Sequence, residues 1–246
     1  MSVITLLTDF GTADSYVAEV KAALLAGAPA ATLVDVTHDI PPGDVRAAQY
    51  VLSRVWPGFP AGTVHYVVVD PGVGTARRAL AAEAGGHLFV APDNGLLSPL
   101  PAEARFVAIP VTDKAAATFH GRDVFAPAAA RLATGARLED LGARATGVTR
   151  APLPAPKFDG VAWVGEVIHV DRFGTLITNL PARSVEPGIR IHVGDRDAGP
   201  LRRTFGDVER GQLVAFIGSG GTVEVAVRDG HAMRLLGAGV GTEVRA

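Results

Sequence analysis

The chain has 246 residues, of which 48% are hydrophobic and 20% are charged, a composition typical of a folded protein rather than a disordered one. Its formal net charge is −2 and it has no basic tract, so the basic surface that nucleic-acid binding needs is not expected. It contains no cysteine, which excludes disulfides, thiolate nucleophiles and zinc bound by cysteine.

The N-terminal sequence predicts a cytoplasmic protein without a membrane partner. The first apolar residues meet an aspartate at Asp9, and neither a basic leader nor a small-residue cleavage signal accompanies them. No window approaches the ~18 uninterrupted apolar residues that a membrane-spanning helix needs.

The first part of the chain alternates between strand and helix patterns. Short apolar runs predict strands at 3–7, 32–36, 64–69, 87–91 and 106–109. Helical periodicity begins near Ser15 and recurs at 45–55 and 125–132. Strand and helix units that alternate at this length predict an α/β fold with a mostly parallel sheet covered on both faces.

Residues 151–160 contain three prolines and few packing residues, which is the composition of a semi-rigid linker. We therefore predict an N-terminal α/β domain over 1–150 and a C-terminal domain over 161–246. In the second part the helical period disappears, and short β patterns alternate with Gly, Asp and Asn. This pattern predicts a smaller antiparallel β-barrel or sandwich.

Polar turns that contain glycine follow several of the predicted strands. Asp9 ends the first strand and Asp70 the third, so both are expected at the rim where open α/β sheets bind ligands. A Gly-rich turn separates Asp70 from Arg77, and His120 and Asp171 lie in two further clusters of this kind. Together these clusters predict a set of ligand contacts.

Other chemistries have weaker support in the sequence. His38, Asp39, His65 and Asp70 are acceptable metal ligands, but their spacing matches no metal motif, so no metal site is predicted. Neither GxGxxG nor a P-loop is present. For His38 or His120 taken alone, a structural role in a turn or in the core is the simpler interpretation.

The polar motifs as an ordered set resemble the S-adenosyl-L-methionine (SAM) hydroxide adenosyltransferases, which are relatives of fluorinating and chlorinating enzymes that act on the same substrate. The resemblance runs nearly from end to end. The motifs are LLTDFGT, THDIPPGDV, VVVDPGVGTARR, FVAPDNGLL, FHGRDVFAP, VIHVDRFGTLITNL and the terminal GSGGTVEVAV with LLGAGVGTEV. The resemblance implies an α/β domain followed by a β-barrel, and a homotrimer that binds its ligand between one subunit's first domain and a neighbour's second.

The family resemblance also implies an activity. Water would attack C5′ of the substrate ribose and release adenosine and L-methionine, with SAM as substrate and neither a metal nor another cofactor. The implied catalytic residues are Asp70, Arg77 and His120. The aspartate position differs in the halogenating relatives, so the resemblance favours water over halide as the nucleophile.

The resemblance further assigns substrate contacts. Asp9 should hold the ribose hydroxyls, and Asp171 with Ser219 should hold the methionine part. The remaining implied contacts are Asn94, Phe205 and Thr175, the last of which stands where many relatives carry asparagine.

The chemistry of the leaving group limits what these residues must do. Methionine leaves a sulfonium as a neutral molecule, so the enzyme needs to position and deprotonate water but needs no general acid. Arg77 stays protonated and can only orient or stabilise charge. Either Asp70 or His120 takes the proton, and the sequence does not choose between them.

Three other functions stay open at this point. The first is a halogenase that forms 5′-chloro-5′-deoxyadenosine at the same carbon. The second is a protein that binds SAM or adenosine without catalysis, and the third is a metal-dependent hydrolase that uses the Asp and His clusters.

Overall fold

The computed structural model describes residues 2–186 and 188–246. It divides them into two compact units, one up to Pro152 and one from Leu153 onward. The division falls inside the proline-rich segment 151–160. That 1–150 and 161–246 are separate folding domains stays a prediction.

The first unit is built on one seven-stranded sheet with three α-helices. Its strands are β1 (Val3–Thr8), β2 (Thr32–Thr37), β3 (Val64–Val68), β4 (Ala79–Ala84), β5 (His87–Pro92), β6 (Arg105–Ile109) and β7 (Ala143–Arg144). Its helices are α1 (Tyr16–Gly27), α2 (Val45–Val55) and α3 (Ala126–Ala133), and a π-helical turn over Gly121–Phe125 leads into α3. The strand order is β2-β1-β3-β5-β4-β6-β7.

The sheet is parallel from β2 through β5 and antiparallel from β5 to β7. Helices cover both faces, because successive side chains of a strand point to opposite sides. Ile4 and Leu6 pack on one face with Leu24 of α1, in the same cluster as residues of α3. Leu7 packs on the other face with Leu52 of α2.

The second unit is a closed β-barrel. Its strands are β8 (Lys157–Phe158), β9 (Trp163–Val170), β10 (Leu176–Pro181), β11 (Arg190–Val193), β12 (Arg196–Arg202), β13 (Leu213–Ile217), β14 (Thr222–Val227) and β15 (Glu243–Arg245), and its α-helix is α4 (Ala232–Leu236). The order β10-β14-β13-β12-β11-β15-β9 closes through pairing of β9 with β10, and β8 adds to β9 outside the ring. Inward side chains such as Val167, Leu176 and Val225 form its core.

The predicted fold class is confirmed, since a mixed α/β unit precedes a β-barrel. Two details differ from the expectation. Three of the six strand pairs in the first sheet are antiparallel, and β12 pairs with β13 in parallel within the otherwise antiparallel barrel. In the part of the chain that the structure describes, no helix is both long enough and apolar enough to cross a membrane.

Candidate active site

Two carboxylates lie at the carboxyl ends of neighbouring parallel strands. Strand β1 pairs with β3 so that Thr8 is opposite Val68, and Asp9 and Asp70 follow at the same edge of the sheet. This is the edge at which parallel sheets place ligand-binding groups, because the strands end there and the loops diverge.

Arg77 folds back onto Asp70 through two consecutive turns. The amide of Val73 donates to the carbonyl of Asp70 (3.2 Å), and that of Thr75 donates to the carbonyl of Gly72 (3.2 Å). The Arg77 guanidinium then meets the Asp70 carboxylate side by side, with Nε donating to Oδ1 at 2.9 Å and Nη2 donating to Oδ2. Both side chains are less than 10% exposed, at 8% for Arg77 and 6% for Asp70.

His120 completes this cluster from the turn that precedes α3. Its Nδ1 lies 2.9 Å from Nη2 of Arg77. Because a guanidinium has only donors, Nδ1 must accept this hydrogen bond, and the proton of the neutral ring is then on Nε2. Burial lowers the pKa of His120, and the charge of Arg77 lowers it further, while Asp70 and Asp123 raise it.

One nitrogen of Arg77 has no hydrogen-bond partner among the described residues. This nitrogen, Nη1, is buried, and the guanidinium carbon lies 5.4 Å from the centre of the Phe125 ring. A buried donor without a partner costs about 1–3 kcal/mol. Its hydrogens are therefore available to an oxygen that enters the cluster.

Asn94 and Asp9 are each anchored near Asp70. The Asn94 amide donates to the carbonyl of Val69 (2.9 Å), the residue directly before Asp70. Oδ2 of Asp9 accepts from the amide of Gly43 (2.8 Å), and a Cβ on Gly43 would lie 3.5 Å from Pro71. The loops that carry Asp9 and Asp70 therefore both lie against Gly43.

Tyr66 lies next to the candidate site, and the sequence analysis did not single it out. Its side chain is fully buried, and its hydroxyl has no hydrogen-bond partner in the described part of the chain. A Cβ on Gly121 would lie 2.9 Å from this hydroxyl. Burial raises the pKa of Tyr66 well above its ordinary value, and the charges of Asp70 and Asp9 add to the effect. The available signal was its position in β3, four residues before Asp70.

Three aromatic rings line a cavity, and two of them adjoin predicted site residues in the sequence, since Phe10 follows Asp9 and Phe119 precedes His120. The rings of Phe10, Tyr16 and Phe119 meet edge to face with centres 5.4–6.4 Å apart. The cavity has a volume of about 440 Å³ and is also lined by Glu19 and Arg122. A larger cavity of about 670 Å³ lies along β6 and β7 and is lined by none of the predicted site residues.

The other predicted contacts belong to the barrel unit. Oδ1 of Asp171 accepts from the amides of Phe173 (2.9 Å) and Thr175 (2.8 Å), which holds the β9–β10 turn together. Phe205 is 47% exposed and packs on a phenylalanine of β13. Ser219 lies in the turn after β13. Asp171 and Thr175 are thus in direct contact, while Phe205 and Ser219 lie by another strand.

The histidines considered as metal ligands have other partners. Nδ1 of His38 lies 2.7 Å from the hydroxyl of Thr8, and Nδ1 of His65 lies 2.8 Å from the hydroxyl of Thr5. Over residues 2–186 and 188–246, no group of three or more His, Asp and Glu side chains is arranged to hold a metal ion.

Comparison with known proteins identifies the family. Residues 4–142 match the N-terminal domain of the SAM hydroxide adenosyltransferases, and residues 165–245 match their C-terminal domain. The chain belongs to this family, so the resemblance seen in its motifs is confirmed.

The curated relatives are hydrolases and, at greater distance, fluorinases. A protein of Thermus thermophilus named (R)-S-adenosyl-L-methionine hydrolase is 46% identical over 100% of this chain and 99% of its own length. A protein of Salinispora tropica with the same name is 42% identical over 98% and 96%. Fluorinases are 27–28% identical.

A solved structure shares the fold over the whole chain. The crystal structure of an uncharacterized conserved protein from Thermotoga maritima has a TM-score of 0.90 at 35% identity and covers 98% of each chain. Its likeness extends over both units described above.

Proposed function

We propose that this protein hydrolyses SAM by attack of water at C5′ of the ribose, giving adenosine and L-methionine. The observation that carries the proposal is the buried cluster of Asp70, Arg77 and His120 at the end of β3. Family membership and the names of the relatives at 42–46% identity support the same reaction.

In the proposed step, an oxygen of water forms a bond to C5′ while the bond from C5′ to sulfur breaks. The electron pair of that bond goes to sulfur, so neutral methionine leaves without a proton donor. The water proton goes to Asp70. His120 is not the acceptor in this arrangement, because its Nδ1 lone pair accepts from Arg77 and its Nε2 carries hydrogen.

Arg77 has two proposed tasks. It fixes the Asp70 carboxylate through parallel hydrogen bonds, and its Nη1 donates to the attacking oxygen as negative charge develops there. As Asp70 takes the proton, the attacking oxygen gains hydroxide character and meets the cationic sulfonium, so charge is neutralised in the transition state. The burial of the cluster favours this neutralisation by keeping bulk water out.

The proposal keeps the substrate contacts and the assembly implied by the family. Asp9 holds the ribose hydroxyls, and Asp171, Thr175, Phe205 and Ser219 hold substrate from the barrel unit of a neighbouring subunit in a homotrimer. Asn94 also contacts substrate, and its hydrogen bond to the carbonyl of Val69 holds it near Asp70. Light scattering on the purified protein tests the assembly, and any mass other than three times that of one chain contradicts it.

The names of the relatives also indicate the configuration of the substrate. They specify the (R) form, so we propose that the preferred substrate has R configuration at the sulfonium. Purified protein incubated with each sulfonium epimer should form adenosine faster from the R epimer. Equal rates, or faster reaction of the S epimer, contradict this part of the proposal.

The reaction itself is tested in ¹⁸O-labelled water, with and without chloride and with and without a chelator. Hydrolysis places the label at the 5′ oxygen of adenosine and ignores chloride. A 5′-chlorinated nucleoside identifies a halogenase, loss of activity with chelator identifies a metal-dependent enzyme, and binding without product identifies a binding protein.

Replacing Asp70 tests the mechanism. Asp70→Ala should lower kcat by about 10²-fold or more while SAM still binds, as expected for loss of the proton acceptor. Asp195→Ala removes an exposed carboxylate from the barrel and is the matched control. Unchanged turnover in Asp70→Ala would refute the assignment of Asp70.

A further inference from the structure

Two loops at the rim of the first sheet are joined by hydrogen bonds that centre on Thr8, Asp9 and His38. The Thr8 hydroxyl lies 2.7 Å from Nδ1 of His38, and the amide of Gly11 donates to the His38 carbonyl at 2.8 Å. The amide of Ile40 reaches the Thr8 carbonyl (3.4 Å), and the amide of Gly43 donates to the Asp9 carboxylate. His38 supplies two of these contacts.

The His38 ring is buried between Thr8 and Asp35. Its second nitrogen, Nε2, lies 3.1 Å from a carboxylate oxygen of Asp35 but is not aligned with it as a hydrogen bond. Among the described residues, the ring therefore makes its hydrogen bond through Nδ1, with the Thr8 hydroxyl. The same hydroxyl accepts from the amide of Phe10 at 3.3 Å, so the chain of contacts reaches the backbone on either side of Asp9.

The inner and outer ends of this chain differ in burial. Thr8 is 1% exposed and His38 is 5% exposed, whereas the Asp35 side chain is 44% exposed. Hydrogen bonds between buried groups are the costly ones to break, and exposed ion pairs contribute little. The contact between His38 and Thr8 is therefore the one that fixes the loop.

We propose that His38 is a positioning residue that sets the affinity for the ribose by holding Thr8 and thereby Asp9. The inference rests on the proposed function, since it assumes that Asp9 binds the ribose hydroxyls. Residues 9–15 lie outside helix and strand, so contacts of this kind determine where the Asp9 carboxylate lies. A carboxylate fixed before binding loses less conformational entropy when the ligand arrives.

The role of His38 is tested by substitutions that place an amide at the position of one ring nitrogen at a time. Asn places its amide as many bonds from Cα as Nδ1 of histidine, and Gln places its amide as far as Nε2. His38→Ala and His38→Gln should raise the KM for SAM about tenfold, equivalent to about 1.4 kcal/mol, with kcat within about twofold. His38→Asn should restore the KM, because its amide can either accept a hydrogen bond from the Thr8 hydroxyl or donate one to it. His192→Ala, which replaces a histidine of the barrel unit, is the control variant.

The affinity for nucleosides gives a second, independent measurement. Calorimetry should show that His38→Ala weakens binding of adenosine about tenfold but leaves binding of 2′,3′-dideoxyadenosine unchanged, because only adenosine has the hydroxyls that Asp9 would hold. Thr8→Val, which replaces only the hydroxyl by a methyl group, should reproduce the loss, and adding His38→Ala to it should cause no further loss. This variant keeps the test valid where His38→Ala does not fold.

The inference is overturned by unchanged binding in His38→Ala, by equal effects of Asn and Gln, or by equal losses for the two nucleosides. Its failure can be distinguished from failure of the proposed function. Wild-type protein that forms no adenosine from SAM refutes hydrolysis, yet the calorimetric comparison still tests His38. Wild-type protein that forms adenosine from SAM, combined with equal losses of adenosine and 2′,3′-dideoxyadenosine binding in His38→Ala, refutes the inference alone.

Discussion

Arg77 contacts both groups that could take the proton from the attacking water. It makes two parallel hydrogen bonds to Asp70 and a third to His120. That third bond occupies the lone pair with which His120 could act as a base. A single side chain therefore favours Asp70 as the base, a distinction that the residues as a sequence leave open.

Arg77→Lys tests this geometry. Lysine keeps the charge but cannot form the parallel pair and the bond to His120 at the same time, so we expect kcat to fall about 10²-fold with SAM binding retained. Steady-state kinetics and calorimetry measure the two effects. Arg210→Lys, at an exposed ion pair with Asp229, is the control. Full activity in Arg77→Lys would show that charge alone suffices.

Tyr66 tests the cost of a buried hydroxyl without a partner. Tyr66→Phe removes only that oxygen, so we expect stability to stay equal or to rise by about 1 kcal/mol. Thermal unfolding measures the change. Tyr16→Phe, at a tyrosine that is 48% exposed, should change stability by less than about 0.5 kcal/mol. A clear loss of stability in Tyr66→Phe would mean that the hydroxyl has a partner in the folded protein.

Among the elements, those with strong local signals were predicted well. Helix α2 spans Val45–Val55 as predicted, with Asp44 capping it through the amide of Ala47 at 2.9 Å and with Pro57 just beyond it. Strand β4 was missed because ALAAEA has no β-branched residue, and it exists because β5 and β6 pair on either side of it.

Strand β12 and helix α4 were missed for similar reasons. Strand β12 contains Gly199 and Pro200, which usually mark a turn, and its pairing with β11 and β13 overrides that local preference. Helix α4 has only five residues, too few to establish a helical period.

Gly142 tests how closely β6 and the segment before β7 approach each other. A Cβ on Gly142 would lie 1.9 Å from the carbonyl oxygen of Ala108 in β6. Gly142→Ala must therefore move backbone, and we expect a loss of about 1–3 kcal/mol in the free energy of unfolding. A Cβ on Gly58 would meet nothing within 4 Å, so Gly58→Ala is the control. Equal denaturation midpoints for the two variants would contradict the prediction.

The stability of the whole protein should depend on two buried histidines. His65 stacks on Phe89 with ring centres 4.9 Å apart, and its Nε2 lies 3.1 Å from Nδ1 of His87. Burial, with the neighbouring His87, lowers the pKa of His65 to about 3, and burial lowers that of His87. The folded protein therefore holds this pair neutral at pH values where the unfolded chain is protonated.

The direction in which the free energy of unfolding changes with pH follows from the protons that each state of the chain binds. Above about pH 6.5 both states of the chain have neutral histidines and the stability is fully present. As the pH falls towards 3, the unfolded chain binds protons that the folded protein does not, and the free energy of unfolding falls by up to about 1.4 kcal/mol per pH unit for each such proton. The loss for His65 ends near its folded pKa of about 3.

Urea unfolding between pH 6.5 and 5 measures this slope, since most carboxylates titrate below that window. His65→Gln removes one titrating group, so the slope should be smaller in the variant than in the wild type. Stability that does not change between pH 6.5 and 5 would contradict a neutral histidine pair.

Local sequence patterns were sufficient to predict the two-part architecture, most strand and helix positions, and the placement of Asp9 and Asp70 after neighbouring strands. These features depend on periodicity, turn residues and caps, which act between residues close along the chain. The family motifs nominated Asp70, Arg77 and His120, whose catalytic roles stay predictions.

Tertiary contacts determine which of those groups touch and place Nδ1 of His120 beside a nitrogen of Arg77. Arg77 lies 7 residues from Asp70 and 43 from His120, and their contact depends on turns and on the order of strands in the sheet. Barrel closure by β9 and β10, the parallel pair of β12 and β13, and the burial of Tyr66 likewise depend on packing between distant segments, which local patterns do not encode.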